Sequence, residues 1–220
     1  MSATGAQFDA GQLREVLARH LPMYRWKVPS YQRVMLESLC AVWLGRHGRL
    51  LDVGGGTGVI AEAIARLLPV DWVEAVDLVD RFCPGLSVRT QAYDGRHLPF
   101  ADKSFDAATL NNVLHHVPRS ERVALLTEIR RVVDGPLYIK DHLAGSALDH
   151  ARLTVLDALG NVPFSGMVKA DYLTQSEWDE ITTKSGWRLT GQAPSAAYRS
   201  GIMAAAFPNR LEITLRFEPA

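Results

Sequence analysis

The chain has 220 residues, 47% of them apolar and 22% charged, as expected of a soluble globular domain with a sizeable core. Lysine plus arginine and aspartate plus glutamate each total 24, so no overall basic field draws in nucleic acid or an anionic membrane. The two cysteines, Cys40 and Cys83, offer neither a disulfide framework nor a metal-type spacing. The first residues lack the basic start and apolar core of a signal peptide, and no apolar run is long enough to span a bilayer, so a cytoplasmic protein is expected.

The spacing of Phe8, Leu13, Val16, Leu17 and Leu21 predicts an amphipathic helix over about Phe8 to His20, ended by Pro22. After a connector, Ser30 is placed to cap a second helix carrying Val34, Leu36, Leu39, Cys40, Trp43 and Leu44. The apolar run Leu50 to Val53 reads as a buried strand. It breaks on Gly54-Gly55-Gly56-Thr57-Gly58, and Val59, Ile60, Ala63, Ile64 and Leu67 then recur at helical spacing. A strand, a glycine turn and a helix open a nucleotide-binding α/β unit, with free N–H groups and a positive dipole at the helix start.

The spacing of the glycines narrows the ligand. The dinucleotide fingerprint Gly-x-Gly-x-x-Gly fails from Gly54, because its third position is Val59; from Gly56 it gives Gly56, Gly58 and Ala61, two residues late. Asp52-x-Gly54-x-Gly56-x-Gly58 fits without a shift. That pattern resembles motif I of the class I methyltransferases that use S-adenosylmethionine. The resemblance implies that the turn, Gly55 included, packs against the amino-acid part of the cofactor, and that Asp52 helps orient its ammonium.

Further along, Trp72 to Asp77 reads as a second strand. Asp77 lies 21 positions after Gly56, close to the spacing at which an acid meets a ribose hydroxyl pair; Asp80 competes for the role, and Leu78 is expected beside it at the cofactor. Ser87 to Ala92 makes a short third strand. Asp94-Gly95, Leu98-Pro99-Phe100 and Phe105-Asp106 extend the resemblance, which gives Asp94 the adenine amino group and Gly95 an adenine ring nitrogen. Asp106 to Asn111 reads as strand four, whose end places Asn111 at the methionine end of the cofactor. His115 and His116 follow. Two adjacent histidines without partners at ligand spacing make a weak metal signal, no metal is expected, and structure or pocket lining is favoured over catalysis.

Ser120 is read as the cap of a helix with Val123, Leu126, Ile129, Val132 and Val133 inward, followed by a fifth strand, Leu137 to Lys140. Asp141 and His142 then stand at the strand mouth. His142 is either a general base assisted by Asp141, with His115 or His116 in reserve, or a histidine that bonds only the next loop. A helix from about Ala147 to Leu159 leads into a long loop over 160–172, of the length usual for lids and binding loops. Its Asn161, Phe164, Met167, Lys169 and Tyr172 suit an apolar acceptor pocket with a few polar groups; helices ahead of the first strand shape that pocket in the family, which brings in Tyr24, Trp26 and Tyr31, residues that otherwise serve plain packing. Thr174 with Glu177 starts another helix, and Gly186 to Thr190 and Arg210 to Phe217 read as the last strands.

The resemblance covers residues 49 to 142 by motif and the rest by element order. It implies an α/β fold: a doubly wound, seven-stranded, mostly parallel Rossmann-like sheet with an antiparallel C-terminal hairpin. The expected organisation is a single domain over 1–220, an N-terminal helical cap (1–48) on a core (49–220). The expected activity is methylation of a small-molecule acceptor in secondary or cofactor metabolism, with no nucleic-acid or membrane partner and the oligomeric state left open. A non-methylating cofactor-binding catalyst of the cyclase or pericyclase type, or a regulatory binder, is the alternative.

Overall fold

The computed structural model describes residues 9–161 and 170–220, with side chains given up to residue 158 in the first segment. Seven strands among them form one sheet: β1 (His47–Val53), β2 (Val70–Asp77), β3 (Arg89–Ala92), β4 (Ala107–Asn111), β5 (Leu137–His142), β6 (Trp187–Gln192) and β7 (Glu212–Pro219), in the order β3-β2-β1-β4-β5-β7-β6. The five strands β1 to β5 pair in parallel, and β7 runs antiparallel between β5 and β6. The chain leaves β1 towards β2 and β3 on one side and returns through β4 and β5 on the other. That reversal between β1 and β4 opens a crevice at the strand ends, where ligands of such sheets bind.

Helices α1 (Ala10–His20), α2 (Ser30–Val42) and α3 (Val59–Leu67) cover one face. Leu13, Leu17, Leu36 and Leu39 pack there with Ile64, Val73 and Tyr138. On the other face, α4 (Arg122–Val132) and α6 (Gln175–Lys184) bury Leu126, Ile129 and Trp178 against Leu51, Leu110 and Ile139. The central strands are apolar on both faces, as parallel strands between two helical layers must be. Helices α5 (Ala147–Asn161) and α7 (Gly201–Ala206) complete the set. No helix among the described residues is long and apolar enough to cross a membrane.

Several boundaries differ from the sequence reading. Pro29, not Ser30, occupies the cap of α2, and Ser30 is the first helical residue. Ser120 is not the cap: the turn closed by the Glu121 N–H on the Pro118 carbonyl delays α4 to Arg122, and Arg122 and Leu125, not Val123, are the buried positions of its first turn. Strand β5 runs through Asp141 and His142, because both pair with β7 in register with Ile213 and Glu212. Helix α7 buries none of its residues, so it leaves no amphipathic stripe to read.

Candidate active site

The turn after β1 is held to β2 by two bonds: the Gly54 and Gly55 N–H groups both donate to the Val76 carbonyl, at 2.8 and 2.9 Å. Gly54 has φ +75°, and a Cβ there would lie 2.5 Å from Val113 Cγ2, so only glycine suits it. Gly56, at φ +59°, donates its N–H to Asp77 Oδ2 at 2.7 Å, which locks the glycine turn to the end of β2. The Asp77 Oδ1 accepts from the Val79 N–H at 3.2 Å, and Arg81 stands 3.6 Å from the same carboxylate.

Asp52, at the end of β1, is buried and accepts from Thr109 Oγ1 at 2.7 Å and Asn111 Nδ2 at 3.1 Å. Burial pushes its carboxyl up to about 6, against the pull of those two bonds. Asn111 thereby turns its Oδ1 the other way, buried and without a hydrogen-bond partner. Asp94 lies on the loop after β3, where its Oδ1 accepts from the Arg96 and His97 N–H groups at 2.8 and 2.7 Å. Beside it the apolar Leu78 is 54% exposed.

These groups share one cavity of about 890 Å³. Gly54, Gly55, Gly56, Thr57, Asp77, Leu78, Asp94, Gly95 and Asn111 line it, and so do His115 and His116. His115 is fully buried, and its Nδ1–H donates to Asp141 Oδ1 at 2.5 Å. Burial would lower its pKa, but the Asp141 and Asp157 carboxylates outweigh that and hold it at about 9. Asp141 is pinned by the Leu114 and His142 N–H groups at 3.0 and 2.7 Å. Burial works against its ionised form, yet His115 keeps it well below the usual carboxylate range.

The expected acceptor residues fare unevenly. Tyr24 lines the cavity. Trp26 is 88% exposed at the end of a 3-10 turn over Pro22–Arg25 and takes no part in the cavity wall. Tyr31 points to the interior instead, where its hydroxyl meets Asn112 and Lys140. Tyr172 is buried with its ring stacked on His115 at 5.1 Å, behind the cavity wall. His142 is buried and stands apart from the cavity lining, since β5 continues through it; burial and the Lys140 ammonium push its pKa down to about 4. Phe164, Met167 and Lys169 lie outside the described residues, as does the side chain of Asn161.

Sequence reasoning missed Gln32, Arg81, Arg119 and Asp171, which also line the cavity. Arg119 bonds Asp171 at 2.9 Å and Glu177 at 2.6 Å across the rim. Nothing local marks Arg119 and Asp171, because they meet across 52 positions of sequence. Asn112, also in the wall, had one signal: it follows Asn111 at a strand end and takes a left-handed φ of +57°, which asparagine tolerates better than most residues.

A methyltransferase-domain family model matches residues 51–135. The chain is 31% identical over 151 residues to a demethylspheroidene O-methyltransferase of Rhodobacter capsulatus, covering 64% of this chain and 36% of that protein. It is 37% identical over 98 residues to a demethylmenaquinone methyltransferase of a Mycobacterium species, covering 41% and 42%. The chain thus spans less than half the length of these relatives. In fold it is similar to a SAM-dependent methyltransferase from Aquifex aeolicus, at TM-score 0.58 and 15% identity over 97% of this chain and 100% of the other. The family match falls on the glycine turn, Asp52, Asp77, Asp94 and Asn111, and with the sheet order it makes the chain similar, over residues 51–135, to the class I methyltransferases whose cofactor is S-adenosylmethionine.

Proposed function

We propose that this chain transfers the methyl group of S-adenosylmethionine to a small-molecule acceptor. The observation that carries the reading is the single cavity of about 890 Å³ lined by both the glycine turn and the two histidines. It stands near the top of the roughly 300–1,000 Å³ range of ligand pockets, room for a cofactor and an acceptor together.

The residues fit the cofactor. Asn111 Oδ1 is a buried acceptor in need of a donor, and the neighbouring Asp52 carboxylate is destabilised by burial, so an ammonium group beside them satisfies both. Asp77 has accepting capacity beyond the Gly56 and Val79 bonds for ribose hydroxyls. Asp94 Oδ2, which His97 Nδ1 approaches at 3.6 Å, would accept from an adenine amino group, with Leu78 and Gly95 beside it in the cavity wall. The bound cofactor supplies an electrophilic methyl carbon on a sulfonium. The work of the chain is then alignment, exclusion of water and placement of the acceptor. His115 and His116, backed by Asp141 and Asp157, are the wall residues assigned to the acceptor.

The relatives named for demethylspheroidene and demethylmenaquinone support a small organic acceptor, of secondary or cofactor metabolism. The balanced charge supports an acceptor other than nucleic acid. Incubation of the chain with methyl-labelled cofactor and cell extract tests this. Label in the small-molecule fraction is expected. Label confined to protein or RNA, or binding of NAD with none of S-adenosylmethionine by calorimetry, overturns it.

A further inference from the structure

We propose that His115, His116 and Asp157 form a site for one first-row divalent cation of the zinc class at the wall of the cavity. The three side chains offer two imidazole nitrogens and a carboxylate, all within 4.8 Å of one another. His115 Nε2 stands 3.5 Å from Asp157 Oδ1, and His116 Nε2 stands 3.6 Å from Asp157 Oδ2. Around a tetrahedral zinc, with bonds of about 2.0–2.2 Å, neighbouring ligand atoms lie about 3.3–3.5 Å apart. Each imidazole nitrogen therefore already stands at about ligand spacing from one Asp157 oxygen.

A second observation points the same way. His115 Nε2 is buried with no hydrogen-bond partner, while Nδ1 of the same ring donates to Asp141. A ligating histidine has this arrangement: one nitrogen towards the ion, the other fixed by a carboxylate that sets tautomer and ring angle. Asp141 is itself held by two backbone N–H groups, so the ring is oriented before any ion arrives. The alternative set His115, Asp141 and His142 also lies within 4.8 Å, but His142 does not line the cavity, whereas His116 does.

Chemistry and topology agree with the assignment. The two histidines ride the 3-10 turn Leu114–His116 after β4, and Asp157 comes from α5. His115 and His116 both reach the cavity wall, so a molecule in the cavity is placed to supply a fourth ligand. Three protein ligands with one open position characterise zinc sites that act on substrates, whereas structural sites are closed by four. Two imidazoles with one carboxylate suit zinc and its neighbours; magnesium and calcium prefer oxygen ligands throughout. An ion there would bind and polarise an oxygen of the acceptor. That consequence rests on the proposed methyl transfer, whereas the binding itself does not.

The test uses the whole purified chain, stripped with a chelator and then titrated with Zn²⁺ by calorimetry and with Co²⁺ by visible absorption. One ion per chain, the intense visible bands of tetrahedral cobalt and a raised unfolding midpoint are expected. Asp141→Asn keeps all three ligands and should weaken Zn²⁺ binding about 10–100-fold. His116→Gln and Asp157→Asn should lose the cobalt bands. Failure of the unmodified chain to retain Zn²⁺ or Co²⁺ overturns the site, and so does stoichiometric binding that is indifferent to all three substitutions. S-adenosylmethionine titrated into the stripped chain reports on the methyltransferase reading separately, so failure of one is distinguishable from failure of the other.

Discussion

At the scale of single residues, Asp52 couples the fold to its ligand through one proton. Its carboxyl is pushed from 3.8 up to about 6. A carboxyl raised in the folded state favours folding fully below about pH 3.8, and that contribution is lost as pH rises through about 6. The ionised group therefore costs the fold about 3 kcal/mol at neutral pH, until a cation sits beside it. Asp52→Asn should raise stability to urea at pH 7.5, with the gain fading below about pH 4, while weakening S-adenosylmethionine binding. Affinity of the unmodified chain should decline as pH drops below about 6, and calorimetry of the variant should show no such step. A pH-independent affinity in the unmodified chain would remove the role. Asp77→Ala should weaken cofactor binding by about 1–3 kcal/mol, the cost of a lost charge-assisted partner. His142 leads to the opposite expectation. Being buried away from the cavity lining, it should tolerate His142→Gln with an unchanged pH profile of turnover; a fall of about 10²–10⁴-fold would restore it as a general base.

At the scale of elements, β5 carries the most consequential difference between sequence and structure. Lys140, Asp141 and His142 look like the exit of a strand, yet all three are buried. Lys140 and Asp141 find their partners on distant elements, Glu212 and His115, which no local pattern reveals. Lys140 donates to Glu212 Oε2 at 2.5 Å on β7, to Tyr31 at 2.9 Å on α2 and to Asn112 at 3.3 Å in the cavity wall. Glu212 also meets Arg199 and Tyr198. Burial opposes its ionised form, but Lys140 outweighs burial and lowers its pKa to about 2. The stabilisation this implies is present above about pH 4.5 and is lost as pH falls towards 2. Lys140→Met leaves a buried carboxylate short of its main partner, and should destabilise the fold by about 3–5 kcal/mol in urea unfolding at pH 7. At pH 2 to 3 the difference should shrink; a constant difference across that range would deny the pairing. By contrast, the strand–glycine–helix unit around Gly54 was legible, because apolar runs, glycine clusters and 3.6-residue periods are local signals.

At the scale of the molecule, chain reversal between β1 and β4 makes one cavity from segments far apart in sequence. The residues expected at the cofactor could be named from the sequence because they sit at or just past strand ends: Asp52 near the end of β1, Asp77 and Asn111 at the ends of β2 and β4, and Asp94 just after β3. The acceptor half depends on how α5, the 3-10 turn at His115 and the N-terminal helices meet, and a linear pattern does not encode such meetings. The cavity wall draws on Leu17 and Tyr24 from the N-terminal segment, Asp77 and Asp94 from one side of the sheet, and Asn111 to His116 from the other. A ligand spanning it therefore ties both halves of the sheet to the N-terminal helices. Saturation at one hundred times the dissociation constant should add about 2.7 kcal/mol of stability, or roughly 5–11 °C in unfolding midpoint for a chain of this size. Hydrogen exchange gives the sharper reading. Bound S-adenosylmethionine should slow exchange in the segments around residues 17–25, 54–58, 93–97 and 111–118 together, because each contributes to the wall. Protection confined to 54–58 and 93–97 would mean that the two histidines and the N-terminal helices stand outside the ligand's reach.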